Sequence, residues 1–223
     1  MKIIVAQDIL KANDQIAEQN MSRLDSASVY CMNLLGSPGC GKTTLLEAVS
    51  GYFRGRLDLA VIEGDLATSR DGDRIEALGI PAIQINTGGG CHLDANMVES
   101  ALDSLDLNAI ELLFVENVGN LICPAGFKLG EHLRIAILSV TEGDDKDAKY
   151  PTMFSAVDAV VINKVDLLPH VDFDLEKVEA DLQVIPPDID LLMMSAKTGE
   201  GVADFASWLA AKRKKVFASP QLS

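Results

Sequence analysis

The sequence predicts an α/β fold, a mainly parallel sheet with helices on both faces, and three observations predict it. Apolar runs such as Leu112-Leu113-Phe114-Val115 and Ala159-Val160-Val161-Ile162 are strand-length and do not alternate with polar residues, as befits strands buried on both faces. Segments with apolar residues at helical spacing fall between these runs, the order expected of βα units. A hydrophobic fraction of 48% over 223 residues is enough for one sizeable core.

Taken in order, Val5, Ile9, Ala12, Ile16 and Leu24 share roughly one helical stripe. They predict an amphipathic helix within residues 1–28, packed on the main domain or on a partner. The main domain is expected over residues 29–216. Val29 to Leu35 reads as a strand ending at Gly36, and Leu45, Leu46, Val49 and Phe53 mark a helix from Thr44 to Phe53. Leu59 to Glu63 reads as a strand, and Gly79 ends a helix through Arg74, Ile75 and Leu78. Ala82 to Ile85 is a strand, followed by Gly88-Gly89-Gly90 and a helix from about Asp94 to Leu105. Further strands are expected at Glu111–Glu116, Arg134–Val140, Ala159–Asn163 and Asp190–Met194. The last helix carries Val202, Phe205, Trp208 and Leu209 on one face, and residues 217–223 form a short tail. No internal repeat or low-complexity linker interrupts the pattern.

Nineteen Lys and Arg against 33 Asp and Glu give a formal charge of −14, a field that repels nucleic acid and anionic membranes. The basic run Lys212-Arg213-Lys214-Lys215 falls where the last helix should end, so it reads first as a complement to the helix dipole. No stretch approaches the roughly 18 apolar residues that cross a bilayer. Met1 to Val5 soon meet Gln7 and Asp8, so no signal peptide is expected and the chain reads as cytoplasmic. Cys31, Cys40, Cys91 and Cys123 form no C-x-x-C pair, so each thiol is core, ligand or bystander rather than part of a disulfide framework.

Gly36-Ser37-Pro38-Gly39-Cys40-Gly41-Lys42-Thr43 fits the phosphate-binding pattern G-x-x-x-x-G-K-[ST], with an apolar strand before it and an amphipathic helix after it. Backbone N–H groups in such a loop curl around phosphate oxygens, and the following helix aims its positive end at them. Lys42 is expected to reach the β- and γ-phosphates and Thr43 to offer its hydroxyl to Mg²⁺, with Thr44 next in the helix; Cys40 reads as a small filler. After a later strand comes Asn163-Lys164-Val165-Asp166, whose carboxylate can accept both the N1–H and the 2-amino hydrogens of guanine. Adenine offers neither donor on that edge, which leaves a buried acceptor unpaired. Ser195-Ala196-Lys197 follows the next strand and can turn a backbone N–H toward guanine O6. These motifs, in this order, resemble the GTPase superfamily.

Glu116-Asn117-Val118-Gly119-Asn120 stands where a GTPase carries its γ-phosphate-sensing switch. Glu116 is expected near Mg²⁺, Gly119 to give its N–H to the γ-phosphate, and Asp65 to be a second candidate for Mg²⁺ or water. Asp71 and Asp73 read as solvated charges. Many GTPases orient the attacking water with a Gln after the switch glycine; here Asn120 is one carbon shorter, so slow hydrolysis is expected.

Cys91 and His92 follow the triple glycine, and Cys123 lies seven residues beyond Glu116. Two thiolates and an imidazole suit Ni²⁺ or Zn²⁺. The three cluster if the strands that carry them are neighbours. Three ligands leave the shell incomplete, to be filled by water, a labile arrangement suited to handing metal on, or by the same residues of a second chain. Adjacent residues such as Cys91 and His92 tend to point apart, which makes a two-fold interface sharing metal attractive. His132 and His170 read as surface residues.

Gly64-Asp65-Leu66-Ala67-Thr68, Gly90 to Ala95, Glu116 to Asn120, Cys123-Pro124, Thr141 to Lys146 and Lys149 to Pro151 together resemble the hydrogenase nickel-incorporation GTPases of the HypB family over about residues 30–212. The resemblance implies a SIMIBI-class P-loop fold and a GTP-dependent homodimer. It also implies nickel delivery to a hydrogenase large-subunit precursor with a small nickel metallochaperone as partner. It gives Cys91, His92 and Cys123 the metal-ligand roles and places Lys146 and Lys149 in a family segment expected to contact the nucleotide across the dimer. Some family members carry an N-terminal Cys-x-x-Cys-Gly-Cys site or a His-rich tract; residues 1–28 contain neither Cys nor His, which throws metal binding onto the main domain. The competing expectations are a urease-type accessory GTPase, whose motif reads Cys-Pro-His, and a GTP-dependent dimerisation switch with only structural zinc. An ATP-dependent enzyme is opposed by Asp166.

Overall fold

The computed structural model describes residues 6–65, 74–184 and 189–218. Val5, residues 66–68 of the Gly64–Thr68 motif, Asp71, Asp73 and residues 219–223 of the tail lie outside them.

Among the described residues seven strands form one sheet: β1 (Tyr30–Gly36), β2 (Leu59–Asp65), β3 (Ala82–Asn86), β4 (Leu112–Glu116), β5 (Leu133–Ser139), β6 (Ala159–Asn163) and β7 (Asp190–Met194). Their order is β3-β2-β4-β1-β5-β6-β7, and every neighbouring pair is parallel. The helices are α1 (Ala6–Ser26), α2 (Lys42–Phe53), α3 (Ala95–Leu102), α4 (Lys146–Lys149), α5 (Pro151–Phe154), α6 (Leu175–Val184) and α7 (Val202–Phe217). The α/β reading therefore holds, with strand limits within a residue or two of those expected.

Strand β1 shows why its sequence is apolar throughout. Tyr30, Met32 and Leu34 pack with Leu45 and Val49 of α2 and Phe205 and Leu209 of α7. On the opposite face Cys31 joins Leu24 of α1 and Val98 and Leu102 of α3, while Leu35 joins Phe154 of α5 and Leu182 of α6. Helices cover both faces, so neither face of β1 can afford a run of polar residues. Burying one such side chain contributes about 1.5–3 kcal/mol. The single polar position inside the strand, Asn33, is fully buried and has a separate role in the site.

Two expectations are corrected. His132 is not a surface residue: its side chain is 5% exposed, its Nδ1 accepts from the Cys31 N–H at 3.0 Å, and its ring stacks on Tyr30 at 5.0 Å. With Nδ1 accepting, Nε2 carries the proton and donates to Asp25 Oδ1 at 3.0 Å. The strands preceding the two candidate metal loops are not neighbours either, because β2 lies between β3 and β4. The loops meet because the one after β3 crosses the end of β2. Gly64 permits the crossing: a Cβ there would lie 2.7–2.9 Å from three side-chain carbons of the fully buried Leu93.

The last helix extends one residue into the expected tail, and Phe217 packs edge-on against Tyr30 and His132. Of the basic run on α7, Lys212 pairs with Asp190 at 2.6 Å and Arg213 with Glu111 at 3.0 Å, while Lys214 and Lys215 lie in the last turn. His170 is exposed, as expected.

Candidate functional site

In a parallel sheet all strands deliver their C-terminal ends to one edge, where loops gather around a ligand cleft. Here that edge holds a cleft of about 490 Å³ lined by Gly39, Gly41, Lys42, Thr43 and Thr44 of the loop and first turn of α2. Glu63, Gly64 and Asp65 from β2, Glu116 to Gly119 after β4, and Lys164 after β6 line it as well. Gly41 caps α2 with φ 101°, so the first turn directs its N–H groups at the cleft. The Lys42 amine is folded onto the carbonyls of Gly36 and Ser37, each at 3.4 Å. Cys40 is fully buried beside Gly36, and burial pushes its thiol up to about 11, so it stays neutral and fits the filler reading.

The Thr43 hydroxyl donates to Glu116 Oε1 at 2.9 Å, joining the phosphate loop to the end of β4. Glu63, 3% exposed, reaches the same cleft from β2, and the sequence reading missed it. Its signal was an acid near the end of an otherwise apolar strand. Gly119 packs against Pro38 of the phosphate loop, with room for no Cβ (2.9 Å to Pro38 Cα and N), and Asn120 bridges to Gly36.

At the other end, the motif residues latch onto one another. Asn163, 1% exposed, donates to Cys40 O at 3.0 Å and accepts from the N–H groups of Lys164 and Ala196 at 2.8 and 3.1 Å. Lys164 spans back to Gly39 O at 2.7 Å. Asp166 Oδ1 accepts from the fully buried Ser195 hydroxyl at 2.6 Å, while Lys197 is exposed. The loops after β6 and β7 and the phosphate loop are therefore one hydrogen-bonded unit.

The ligand atoms of Cys91, His92 and Cys123 all lie within 4.8 Å of one another in a single chain. The adjacent pair does not diverge: Cys91 Sγ and His92 Nδ1 are 3.5 Å apart. The Cys123 thiol beside it, aided by partial desolvation, raises the Cys91 pKa. Burial lowers the His92 pKa against a smaller opposing pull from Asp94, which favours the neutral, ligating imidazole. The His92 ring lies 4.0 Å from that of Phe127, and Cys91 is exposed, so the site opens to solvent on one side. Two sulfurs and one nitrogen form a compact soft donor set that can hold Ni²⁺ or Zn²⁺ and leaves positions for further ligands.

A buried polar chain links the two halves. Asn117, the residue after Glu116, is 1% exposed, and its Oδ1 accepts from the Leu93 N–H at 3.1 Å, one residue past His92. Its Nδ2 donates to Asn33 Oδ1 at 3.3 Å, and Asn33 Nδ2 donates to Glu131 Oε1 at 3.1 Å. Glu131 pairs with Arg134 at 3.1 Å, and Arg134 holds the carbonyls of Pro124 and Ala125 at 2.8 and 3.2 Å, fixing the turn that begins at Cys123. Asn120 closes a second link by donating to Cys91 O at 3.2 Å. Its side chain thus faces the metal loop rather than lining the cleft. The sequence reading missed Asn33, Asn117, Glu131 and Arg134, although Asn33 stands out as the one polar residue inside an apolar strand.

Residues 30–193 match the family described as the CobW/HypB/UreG nucleotide-binding domain. The sequence is 52% identical to the hydrogenase maturation factor HypB of Azotobacter vinelandii over 209 residues, 94% of this chain and 69% of that protein. The crystal structure of HypB from Helicobacter pylori in complex with nickel superposes with a TM-score of 0.89 at 40% identity, covering 95% of this chain and 99% of that one. The signal recognition particle receptor FtsY of Elizabethkingia anophelis, 15% identical with a TM-score of 0.57, covers 91% of this chain and 73% of that one and shares the fold.

Proposed function

The chain belongs to the CobW/HypB/UreG family and, within it, to the hydrogenase maturation factors HypB, and on that premise we propose that it is a GTP-hydrolysing metallochaperone delivering nickel during nickel–iron hydrogenase assembly. One observation carries the reading: the nucleotide cleft and the three-ligand site share the segment from Glu116 to Cys123. Glu116 touches Thr43 at 2.9 Å, Asn117 and Asn120 hold the Cys91–Leu93 loop, and Cys123 is itself a ligand.

In this mechanism Asp166 accepts the two guanine hydrogens, the loop Ser195–Lys197 faces O6, and Gly36 to Thr44 cradle the phosphates with Lys42. The Thr43 hydroxyl and the carboxylates of Glu116, Asp65 and Glu63 on one cleft wall are an all-oxygen donor set suited to Mg²⁺, which supplies charge neutralisation at the β- and γ-phosphates when bound. The Gly119 N–H senses the γ-phosphate. Asn120 takes the place of a water-orienting glutamine but bonds Cys91 O, so turnover is slow, below about one per second in the isolated chain. Loss of the γ-phosphate releases the Gly119 end of the segment and shifts the ligand loops, changing hold on the nickel cargo.

We place the chain in the cytoplasm as a GTP-dependent homodimer, with a small nickel metallochaperone and the hydrogenase large-subunit precursor as partners. Titrating nickel against the GDP form and a non-hydrolysable GTP-analogue form tests the proposal. Several-fold different affinities are expected; equal affinities and stoichiometries in the two forms would remove the switch.

A further inference from the structure

The N-terminal helix has a feature that core packing alone does not require: two asparagines, seven residues apart and therefore on one face, both buried and both turned to the same pair of loops. Asn13 is 7% exposed; its Oδ1 accepts from the Ala95 N–H at 2.9 Å and its Nδ2 donates to Lys128 O at 2.8 Å. Asn20 is fully buried, and its Nδ2 donates to both Ala95 O and Leu129 O at 2.9 Å. Each side chain thus bridges the first residue of α3, which directly follows the loop carrying Cys91 and His92, to the segment that follows the Cys123 turn. Leu24 adds an apolar clasp, packed in one cluster with Leu93 and Leu129. The approach is close: a Cβ on Gly130, at φ 98°, would lie 2.5 Å from Asn20 Cβ.

We propose that α1 is a clamp on the metal site, and that Asn13 and Asn20 are positioning residues that hold the Cys91–His92 and Cys123 loops at ligating distance. This rests on the reading of Cys91, His92 and Cys123 as nickel ligands. Groups outside the ligand set that orient ligands commonly change metal affinity by about 10–100-fold when removed. Among the described residues none of α1 lines the nucleotide cleft, so the clamp acts on the metal side of the molecule.

The experiment is nickel affinity by competition with a chromophoric chelator, on the full chain with GDP bound, with GDP affinity measured alongside. Asn13→Ala and Asn20→Ala are each expected to weaken nickel binding about tenfold with GDP affinity unchanged. Asn20→Asp, which sets a carboxylate against the carbonyl oxygens of Ala95 and Leu129, is expected to weaken it further. Arg23→Ala is the control. It removes another α1 contact, the 2.8 Å pair with Asp103 at the far end of α3, without touching either ligand loop, and should bind nickel like wild type. If Asn20 variants lose GDP binding as well, Asn13→Ala at the rim decides by the same criterion. Nickel affinity within twofold of wild type in Asn13→Ala and Asn20→Ala, or an equal loss in Arg23→Ala, overturns the clamp alone. A wild-type chain that binds no nickel overturns the ligand reading itself and the clamp with it.

Discussion

The proposed guanine end of the cleft and the candidate metal centre stand on the same edge of the sheet, yet their loops are held in opposite ways. At the guanine end the residues expected to touch the base also fix each other: Asn163 joins Cys40 and Ala196, and Asp166 holds Ser195. The strands behind them, β6 and β7, are direct neighbours. At the metal centre only Cys91 and His92 are adjacent in sequence, their strand is separated from that of Cys123 by β2, and the fixing residues are not ligands. Asn117, Asn33, Glu131 and Arg134 do that work from beneath, and one of them adjoins Glu116. In the proposed switch, a self-latched site keeps its shape whatever occupies the γ-phosphate position, and a site held through the Glu116–Cys123 segment does not.

The sharpest way to break this contrast is at Asp166. Asp166→Asn keeps an acceptor for the Ser195 hydroxyl but turns the guanine-facing acceptor into a mixed amide. GTP affinity should fall by on the order of 10³–10⁴, and xanthosine triphosphate, with a carbonyl in place of the 2-amino group, should regain most of it. Nickel affinity of the nucleotide-free chain should not move. Unchanged GTP binding in this variant refutes the base assignment, and a lost nickel site would show that the guanine end and the metal centre are not held separately.

The next effect in size is at the ligands. Cys91→Ala, His92→Ala and Cys123→Ala should each weaken nickel binding by about 100-fold, with GDP affinity within twofold of wild type. Equilibrium dialysis against nickel, with a fluorescent GDP displacement assay alongside, separates the outcomes. Full nickel binding in the Cys123 variant would remove the reason for linking metal to the switch.

This difference in construction also explains what the sequence made legible. The phosphate loop, Asn163-Lys164-Val165-Asp166 and Ser195-Ala196-Lys197 are local strings, each at the end of its own strand, and their spacing alone points to the chemistry. The strands were legible too, because burial on both faces leaves an unbroken apolar run. The ligand trio was found as a set. How it assembles was not, because convergence depends on strand order and on Gly64 letting Leu93 cross β2. Asn13, Asn20, Asn33 and Asn117 are ordinary polar letters until the fold buries them. His132 was misjudged for the same reason, since Cys31 and Asp25 reach it only in three dimensions.

Gly64→Ala tests the crossing. The added Cβ must push Leu93 aside, and overpacking of this kind costs about 1–3 kcal/mol. Urea unfolding should show a loss of that size, and nickel binding should weaken about tenfold, because Leu93 directly follows His92. Wild-type nickel affinity in a destabilised Gly64→Ala chain would mean that the loop keeps its shape without the crossing.

The smallest expected effect bears most directly on how the halves communicate. Asn120 contributes one neutral side-chain bond to the metal loop, the 3.2 Å contact with Cys91 O, while Asn117 contributes the buried one to Leu93. A neutral hydrogen bond contributes about 1 kcal/mol net, roughly a fivefold change in an equilibrium. Asn120→Ala should therefore shrink the ratio of nickel affinities between the GDP and GTP-analogue forms by no more than about fivefold, leaving each form able to bind. Because the Asn120 amide faces the metal loop rather than the cleft, single-turnover GTP hydrolysis should change little in the same variant. A large loss of hydrolysis with an unchanged nickel ratio would return Asn120 to the role of water-orienting residue and leave Asn117, among the described residues, to link nucleotide and metal loop.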